Sequence, residues 1–478
     1  MSIDYLAILP QIVLVLAGMA IMLLEPVTPP ERKGQLGQIA VVASFLAAYV
    51  LSFQRITTPR AVFNGMLLVD NFSWLFQWLF FVITGVACLI ALRFNEREGI
   101  NRGEYYALLL FACSGMSLMA ASGDLILTFL GIEILSIATY ILAGFKRTDV
   151  RANESSLKYF LLGSFATAFL LYGIALVYGS TGTTNYAAIR AIAGLQGVPQ
   201  VTMVVGLCLL LVGFGFKVAT VPFHAWAPDV YEGAPTAVTA FMIVGPKAAG
   251  FAALMRVLVQ ALPSLQADWT TILWASSILT MTVGNIVAVL QSNIKRMLAY
   301  SAIAHAGYIL VGIVANSAAG SRAVIFYLIV YTAMNLGALS IVLSLSRKGD
   351  ECVNLEDYAG LGKTQPLAAA ALALFLISLA GIPLTGGFVG KFYLFSAAIQ
   401  QGYVGLAIVG VLNSVISVYY YFRLIVFMYM KEPREAAIEP IPLTAIAAIA
   451  IAAIGVLWLG IFPTFFLKLA SHSILPLQ

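Results

Sequence analysis

The chain has 478 residues, of which 61% are hydrophobic and 10% are charged, with a formal net charge of +5 and a mean hydropathy of +0.96. This composition is typical of a polytopic membrane protein and excludes a soluble domain, because no polar stretch is long enough to enclose a core. The basic residues are spread along the loops and do not form a nucleic-acid-binding patch.

The cysteines and glycines argue against redox or nucleotide chemistry on this chain. The cysteines are scattered and form no C-x-x-C motif (Cys88, Cys113, Cys208 and Cys352), which disfavours an iron–sulfur cluster or a structural zinc site. No G-x-G-x-x-G follows a strand pattern. We therefore expect any electron transfer coupled to this protein to take place on other chains.

Apolar runs long enough to cross a bilayer recur from one end of the sequence to the other. The first run lacks a basic segment before it and a small-residue cleavage site after it, so we expect a retained span and not a signal peptide. The pattern predicts about fourteen spans: 5–24, 37–54, 72–92, 105–121, 124–145, 156–179, 201–221, 236–260, 270–290, 297–316, 323–345, 367–396, 403–428 and 442–466.

Loop charges predict the orientation of these spans, because lysine and arginine concentrate on the cytoplasmic side. One side holds about fifteen basic residues: Arg32, Lys33, Arg93, Arg97, Arg102, Lys146, Arg147, Arg151, Lys295, Arg296, Arg347, Lys348, Lys363, Lys431 and Arg434. The other side holds about six: Arg55, Arg60, Arg190, Arg256, Arg322 and Lys468. We expect the first side to be cytoplasmic and both termini to be periplasmic.

Proline interrupts three of the predicted spans. Pro222 lies at the end of span seven, Pro246 in the middle of span eight, and Pro383 inside span twelve, which is about ten residues longer than a simple span requires. Because Pro222 and Pro383 are five spans apart, a five-helix unit repeated in tandem would insert its second copy upside down. Inverted repeats with broken helices at matched positions are typical of transporters.

These features predict an all-α membrane protein that forms a single membrane domain, residues 1–478. Residues 1–100 would hold three leading helices, 101–262 the first five-helix repeat, 268–430 the second and inverted repeat, and 440–478 the last helix.

Six ionisable residues remain at or near membrane depth once the loop charges are set aside: Glu133, Lys158, Lys217, Lys247, His305 and Lys391. A charged side chain at the bilayer centre costs about 2.5–3.5 kcal/mol on insertion scales, so such residues usually serve an ion or proton path. Lys217 and Lys391 lie beside the breaks at Pro222 and Pro383, and we expect them at equivalent points of the two repeats.

Each of these residues also has a structural interpretation. Lys158 lies in the first turn of its span and could extend its amine to the interface. Glu133 could be a purely structural partner of a lysine, and His305 could be a hydrogen-bonded core histidine. Lys217 and Lys247 are central and adjoin backbone breaks, which favours a functional role. Arg256, Lys295 and Arg296 lie near helix ends and are expected to set topology.

A proton relay is the hypothesis that accounts for the set. Burial disfavours the charged form of a lysine, whereas a nearby carboxylate favours it, so a lysine held between both influences can change protonation when its partner moves. We expect Glu133 and Lys217 to form this switch, Lys247 to be the central station, and Lys391 to serve the opposite half-channel. Lys158 and His305 are further candidates.

The sequence resembles the antiporter-like membrane subunits of proton-pumping NADH:quinone oxidoreductase, respiratory complex I. The resemblance covers essentially the whole chain and is most specific in the run KVATVPFHAWAPDVYEGAPT, which begins at Lys217. It implies fourteen spans, broken helices seven and twelve, and a relay made of Glu133, Lys217, Lys247 and Lys391. Lysine on both span eight and span twelve favours one subunit type over those with a glutamate on span twelve or a long lateral helix after span fourteen.

The resemblance also implies the setting of this protein. It would be a multi-pass subunit of a translocase in a bacterial inner membrane, with no cofactor of its own. FMN and iron–sulfur clusters would lie on partner subunits, quinone would be the substrate of the complex, and neighbouring antiporter-like subunits would be partners.

Two alternatives stay open on the sequence. A homologous subunit of a sodium/proton antiporter or a membrane-bound hydrogenase would carry the same relay and differ only in its partner chains. A free-standing transporter would instead ring one midplane site with polar side chains, whereas here the ionisable residues are spread over several spans.

Overall fold

The fold is a bundle of membrane-length helices, with a few short helices and one small hairpin between them. The computed structural model describes residues 5–54, 56, 58–346, 351–433 and 441–475. Its helices, in chain order, are α1 (Leu9–Leu24), α2 (Gly34–Ser52), α3 (Asn71–Arg97), α4 (Gly103–Ala121), α5 (Leu125–Ala143), α6 (Val150–Thr181), α7 (Tyr186–Ala193), α8 (Gln200–Val218), α9 (Trp226–Gly233), α10 (Thr236–Met242), α11 (Gly245–Arg256), α12 (Gln266–Val289), α13 (Ile294–Val314), α14 (Ala318–Leu345), α15 (Leu361–Thr364), α16 (Pro366–Ala380), α17 (Gly386–Gln400), α18 (Val404–Met430), α19 (Leu443–Ile461) and α20 (Thr464–His472).

Thirteen of the fourteen predicted spans are confirmed as membrane-length helical segments. Within the described part of the chain, thirteen helical segments are long and apolar enough to cross a membrane. The fourteenth is the predicted long span twelve, which is divided into α16 and α17. The basic residues Arg55, Arg347, Lys348 and Arg434, used above to predict orientation, lie outside the described residues.

A short antiparallel hairpin connects α2 to α3. Its strands are β1 (Arg60–Val62) and β2 (Leu67–Val69), with Arg60 opposite Val69. The turn between them has positive φ at Phe63, Asn64 and Gly65. The hairpin is hydrogen-bonded to the first repeat, since the Gly123 amide donates to the Met66 carbonyl over 2.7 Å.

Two backbone bridges mark corresponding points of the two five-helix repeats. Asp124 caps α5 and bridges to Asn185, and Asn293 caps α13 and bridges to Asn354. Both members of the second bridge follow those of the first by 169 positions (124 to 293 and 185 to 354). Five spans separate α5 from α13, so the bridges belong to units of opposite orientation. The proposed limits 101–262 and 268–430 stay a prediction.

All three predicted breaks are confirmed. The seventh span ends its first half at Val218, turns through Ala219 at φ 58°, and resumes as α9. The twelfth ends its first half at Ala380 and turns through Gly381 at φ 86°, a conformation that glycine adopts at little cost. In the eighth span α10 gives way to α11, with Pro246 in the first turn of α11, where a missing N–H is tolerated.

The centre of the bundle is formed by α4, α11, α13 and α14, whose residues are almost all buried. The helices α6, α12, α18 and α19 instead expose many large apolar side chains, as expected of lipid-facing surfaces. Most of the ionisable residues singled out above lie where the broken spans meet this centre.

Candidate functional site

Glu133 and Lys217 lie on neighbouring helices but do not form a direct ion pair within 4.0 Å, as far as the described residues show. The Lys217 amine, 4% exposed, donates to Ser136 Oγ over 2.8 Å. Glu133 is half-buried and accepts from Thr167 Oγ1 at 2.9 Å. Ser136 follows Glu133 by one turn of α5, so both lie on the same face of that helix. The expected pair is therefore connected indirectly, through the Ser136 hydroxyl that binds the Lys217 amine.

An aromatic stack bridges the break beside Lys217. The Lys217 Nζ lies 6.0 Å from the centre of the Tyr159 ring, which stacks on Trp226 at 4.5 Å with an interplanar angle of 6°. The Trp226 indole donates to the Phe216 carbonyl over 2.9 Å. Trp226 is the first residue of α9 and Phe216 belongs to α8, so this contact joins the two halves of the seventh span.

Lys247 is 1% exposed, and its amine donates to the Ala302 carbonyl on α13 over 2.6 Å. One turn later on α11, Gly250 packs on Lys217: a Cβ at this glycine would lie 3.2 Å from Lys217 Cγ. The start of α11 therefore carries Lys247 and also contacts the aliphatic part of the Lys217 side chain.

His305 is fully enclosed by side chains of three helices. Its Nδ1 lies 2.6 Å from the Tyr327 hydroxyl on α14, and its Nε2 lies 3.2 Å from the Tyr421 hydroxyl on α18. The Tyr421 hydroxyl also contacts Ser301 Oγ. Both ring nitrogens therefore have hydrogen-bonding partners that can donate or accept a proton.

Lys391 is 4% exposed and has three acceptors. Its amine donates to the Leu379 carbonyl over 2.9 Å, to the Ala380 carbonyl over 3.1 Å, and to Ser414 Oγ over 2.7 Å. The ring of Tyr308 lies 4.6 Å away. The two carbonyls are the last of α16, so the ammonium caps the C-terminus of the other half of its own broken span.

The expectation that Lys217 and Lys391 occupy equivalent points is wrong. Lys217 belongs to the first half of its span and precedes the break, whereas Lys391 belongs to the second half and follows it. Their contacts differ accordingly: the Lys391 amine donates back to a carbonyl of its own span, and the Lys217 amine donates to Ser136 on α5.

One face of α13 connects these stations. Ala302, His305 and Tyr308 follow one another at three-residue intervals, so they lie along the same side of the helix. Ala302 accepts from Lys247, and Tyr308 covers Lys391. The structure therefore arranges Lys247, His305 and Lys391 in a row along the buried centre of the bundle.

Lys158 lies apart from this row, in a cluster of ion pairs at the rim. Its side chain is 42% exposed and pairs with Glu154 and Asp229, each over 2.8 Å. Arg296 pairs with Asp229 and Glu232, also over 2.8 Å each. Partial burial alone would raise the pKa of Asp229, but its hydrogen bonds to the Lys158 and Arg296 cations outweigh burial and lower that pKa.

Two buried cations are not predicted by the sequence interpretation, which places both among the topology determinants. The Lys295 side chain is 2% exposed and donates to Glu351 and the Ala234 carbonyl over 2.7 Å each. Burial alone would raise the pKa of Glu351, yet the charge and hydrogen bond of Lys295 hold it below its ordinary value of 4.5. The Arg256 side chain is fully buried and pairs with Asp70 over 2.7 Å.

The hydroxyl groups of the row are also absent from the sequence interpretation. Ser136 and Tyr308 each follow a nominated residue by three positions, and this spacing could have suggested them. Tyr327, Tyr421 and Ser414 come from other helices, and no local pattern distinguishes them. The described residues contain no group of three or more histidine, cysteine or acidic side chains arranged to hold a metal ion.

Comparisons with known proteins identify the family of this chain. Residues 122–417 match the family described as NADH:quinone oxidoreductase/Mrp antiporter, TM. A relative from Trichlorobacter lovleyi, named NADH-quinone oxidoreductase subunit N, is 47% identical over 99% of this chain and 97% of its own length. Subunit N is the type that lysine on both span eight and span twelve favours.

Two solved structures are similar over nearly the whole chain. A chain of respiratory complex I from Thermus thermophilus with bound aureothin is 35% identical, with a TM-score of 0.82 over 97% of this chain and 100% of that one. A chain of the membrane-bound sulfane sulfur reductase, an archaeal respiratory membrane complex, is 28% identical, with a TM-score of 0.86 over 98% and 96%. The chain belongs to the NADH:quinone oxidoreductase/Mrp antiporter transmembrane family.

Proposed function

We propose that this chain translocates protons as a membrane subunit of NADH:quinone oxidoreductase, along the row Glu133, Lys217, Lys247, His305 and Lys391. The observation that carries the proposal is the burial of three lysines, each exposed by 4% or less, in the middle of membrane-spanning helices. Such groups are costly to retain at membrane depth, so a chain that keeps three of them is expected to use them.

Hydroxyl groups supply the connections that a proton needs between these stations. Ser136 joins the Glu133 turn of α5 to the Lys217 amine. The Tyr331 hydroxyl donates to the Ile243 carbonyl, at the break that precedes Lys247, and its ring lies 5.6 Å from His305. Tyr308 then lies between His305 and Lys391. Hydroxyls both donate and accept, so each can pass a proton onward when its neighbour reorients.

The redox chemistry belongs to the partners in this proposal. FMN and iron–sulfur clusters would be held by other subunits, and quinone would be reduced away from this chain. The energy released there would change the charge or position of Glu133, which is half-buried on the outer part of α5. Each change would shift the protonation of Lys217 and then of the stations beyond it.

The same proposal places the protein in a bacterial inner membrane with the rim cluster of Lys158, Asp229, Glu232 and Arg296 toward the cytoplasm. The support is the excess of lysine and arginine on that side of the spans. Both termini would then be periplasmic. Labelling of single cysteines placed at positions 147 and 190, with a reagent that does not cross the membrane, tests this orientation.

The central test replaces Lys247 by alanine in the intact, membrane-embedded assembly. Proton pumping into vesicles, driven by NADH oxidation, should fall at least tenfold, because the row loses the station that lies between Lys217 and His305. Lys363→Ala is the matched control, since this lysine is 58% exposed and, among the described residues, pairs with Glu432 at the surface. Undiminished pumping by an assembled Lys247→Ala variant would refute the relay.

A second candidate function is proton transfer in a different respiratory assembly. The similarity to a chain of the sulfane sulfur reductase, over 98% of this chain, favours keeping it. The same row would then operate under another redox reaction. Affinity purification of the full chain in mild detergent distinguishes the two: NADH-oxidising activity in the purified assembly supports the first, and its absence with another redox activity supports the second.

A further inference from the structure

A large open cleft lies at the membrane boundary, away from the row of buried lysines. It has a volume of about 1290 Å³ and is bordered by the first residues of α2, α4 and α19 and the last residues of α3 and α14. All five helices are membrane spans, so their ends place the cleft at the level of the lipid headgroups. Five basic side chains line it: Arg32, Lys33, Arg93, Arg97 and Arg102.

The positive charge of this cleft is only partly compensated. Lys33 pairs with Glu25, and Arg93 lies 3.4 Å from Glu96 in a pair that is more than half exposed. Among the described residues, Arg32 and Arg102 have no ion-pair partner. Four carboxylates therefore line the cleft or pair with its five cations (Glu25, Glu31, Glu96 and Glu98), and Glu98 is shared with Lys146 outside the cleft.

Arg97 is the deepest of these cations and has unused donor capacity. Its side chain is only 15% exposed, and one terminal nitrogen donates to the Leu343 carbonyl over 3.3 Å. The buried Nε lies 3.8 Å from Glu98 and makes no hydrogen bond. A buried guanidinium nitrogen without an acceptor is unusual, and an anionic oxygen entering the cleft would supply one.

An apolar stripe extends from the cleft into the membrane. On α3, Val82, Val86 and Leu89 precede Arg93 at spacings of four, three and four residues, so all four share one face. The three apolar residues are half-buried, and α3 packs against both α2 and α19. The helices on either side expose Val42 by 65% and Ile446 by 48%.

We propose that this cleft binds the headgroup of an anionic phospholipid, whose acyl chain lies along the Val82, Val86 and Leu89 stripe of α3. Basic pockets between transmembrane helices recognise anionic headgroups in this way. Ordinary topology charges would be distributed over separate loops. Here, charges from two loops converge on one cavity that is open to the bilayer, which is what a lipid site requires.

The test measures lipid retained by the full chain after purification in mild detergent from membranes that contain phosphatidylglycerol and phosphatidylcholine. The variant Arg93→Gln/Arg97→Gln/Arg102→Gln should retain far less phosphatidylglycerol, by roughly fivefold per arginine, since each contributes about 1 kcal/mol near a membrane surface. Phosphatidylcholine retention should not change. Arg147→Gln/Arg151→Gln/Lys363→Gln is the matched control, because it removes three charges from the same membrane side outside the cleft.

Equal retention of phosphatidylglycerol by the two triple variants would overturn the proposal. If the cleft variant does not assemble, the single change Arg93→Gln, at a side chain that is 66% exposed, takes its place. Inorganic phosphate at millimolar concentration separates a lipid from a free anion. Displacement of the lipid by phosphate alone would show that the acyl chain contributes nothing, which also overturns the proposal.

Discussion

The two broken spans of this protein solve the same backbone problem in different ways. In the twelfth span, the ammonium of Lys391 caps the last carbonyls of α16, so the break and the ionisable residue form one unit. In the seventh span, hydroxyls of α12 hold the break: Val221 N–H donates to Thr280 over 3.0 Å, and Ser276 donates to the Val221 carbonyl over 3.1 Å. The Lys217 amine does not hold the break and instead donates to Ser136 on α5.

This difference suggests a structural role for Lys391 at its break and leaves Lys217 available for proton transfer. A lysine that caps a helix end cannot leave its site without exposing carbonyls, whereas a lysine bound to one serine hydroxyl can move more cheaply. We therefore expect Lys217 to be the mobile member of the pair and Lys391 the fixed one.

Lys391→Ala should have the largest effect. It leaves the Leu379 carbonyl without its lysine donor and the Ala380 carbonyl with only a 3.5 Å bond from Ser414, so we expect loss of proton pumping together with about 3 kcal/mol of destabilisation. Lys217→Ala should also abolish pumping but cost only about 1 kcal/mol, because it leaves one hydroxyl without its donor. Thermal unfolding in detergent compares the two variants. Equal losses of stability would remove the distinction drawn between the breaks.

Thr280→Val tests the external support of the first break. It deprives the Val221 amide of its acceptor, so we expect a loss of about 1.5 kcal/mol and faster hydrogen exchange at residues 219–226. Exchange at residues 381–386 should stay unchanged. Thr271→Val on the same helix is the control, since its hydroxyl donates only to the Ala267 carbonyl at an exposed site. Faster exchange at both breaks would show that they are not independent.

Ser136→Ala tests the connection to Lys217. Loss of the hydroxyl that joins the Glu133 turn to the amine should slow proton pumping roughly fivefold, equivalent to about 1 kcal/mol. Ser414→Ala should have less effect, since Lys391 retains two carbonyl acceptors. Initial rates of acidification in vesicles give both numbers. A larger effect at Ser414 would reverse the assignment of the mobile lysine.

Acid should loosen α9 at the rim of the bundle alone, and this is the smallest effect. Asp229 holds α9 to Lys158 and Arg296, and its pKa is lowered below its ordinary value of 3.8. A depressed pKa keeps the contribution of the carboxylate intact above about pH 4 and removes it as the pH falls further. The protection factors of the α9 amides, which correct for the pH dependence of intrinsic exchange, should thus be constant from pH 8 to 5 and fall below pH 4.

The α17 segment offers the contrast, because none of its described residues forms an ion pair, and its exchange should show no such step. Asp229→Asn should remove the step in α9. A fall in the α9 protection factors already between pH 7 and 5 would contradict the assignment to Asp229.

The sequence was sufficient for the fold because proline and apolar run length act locally. Pro222, Pro246 and Pro383 each mark a real break, and the fourteen spans follow from hydropathy. The position of a residue along its span is a weaker guide to whether its side chain is buried. Lys295 and Arg256 are near helix ends and yet fully enclosed, because loops and neighbouring helices cover those ends.

Contacts between helices could not be predicted from the residues alone. The direction in which the Lys391 side chain points depends on how far α17 is displaced from α16, and no spacing rule encodes it. The tyrosines that contact His305 lie on two other helices, α14 and α18, so these hydrogen bonds emerge only from the packing. The residue types of the row were thus predictable and their connections were not.

The matched bridges at Asp124 and Asn293 define which positions of the two repeats correspond to each other. With the shift of 169 positions that they define, Ser136 corresponds to His305, and Glu133 corresponds to Ala302, whose carbonyl binds Lys247. At these matched positions α5 carries a carboxylate and a hydroxyl, whereas α13 carries a methyl group and an imidazole. Swapping these side chains between α5 and α13 would show whether the two halves of the protein can exchange their proton-carrying groups.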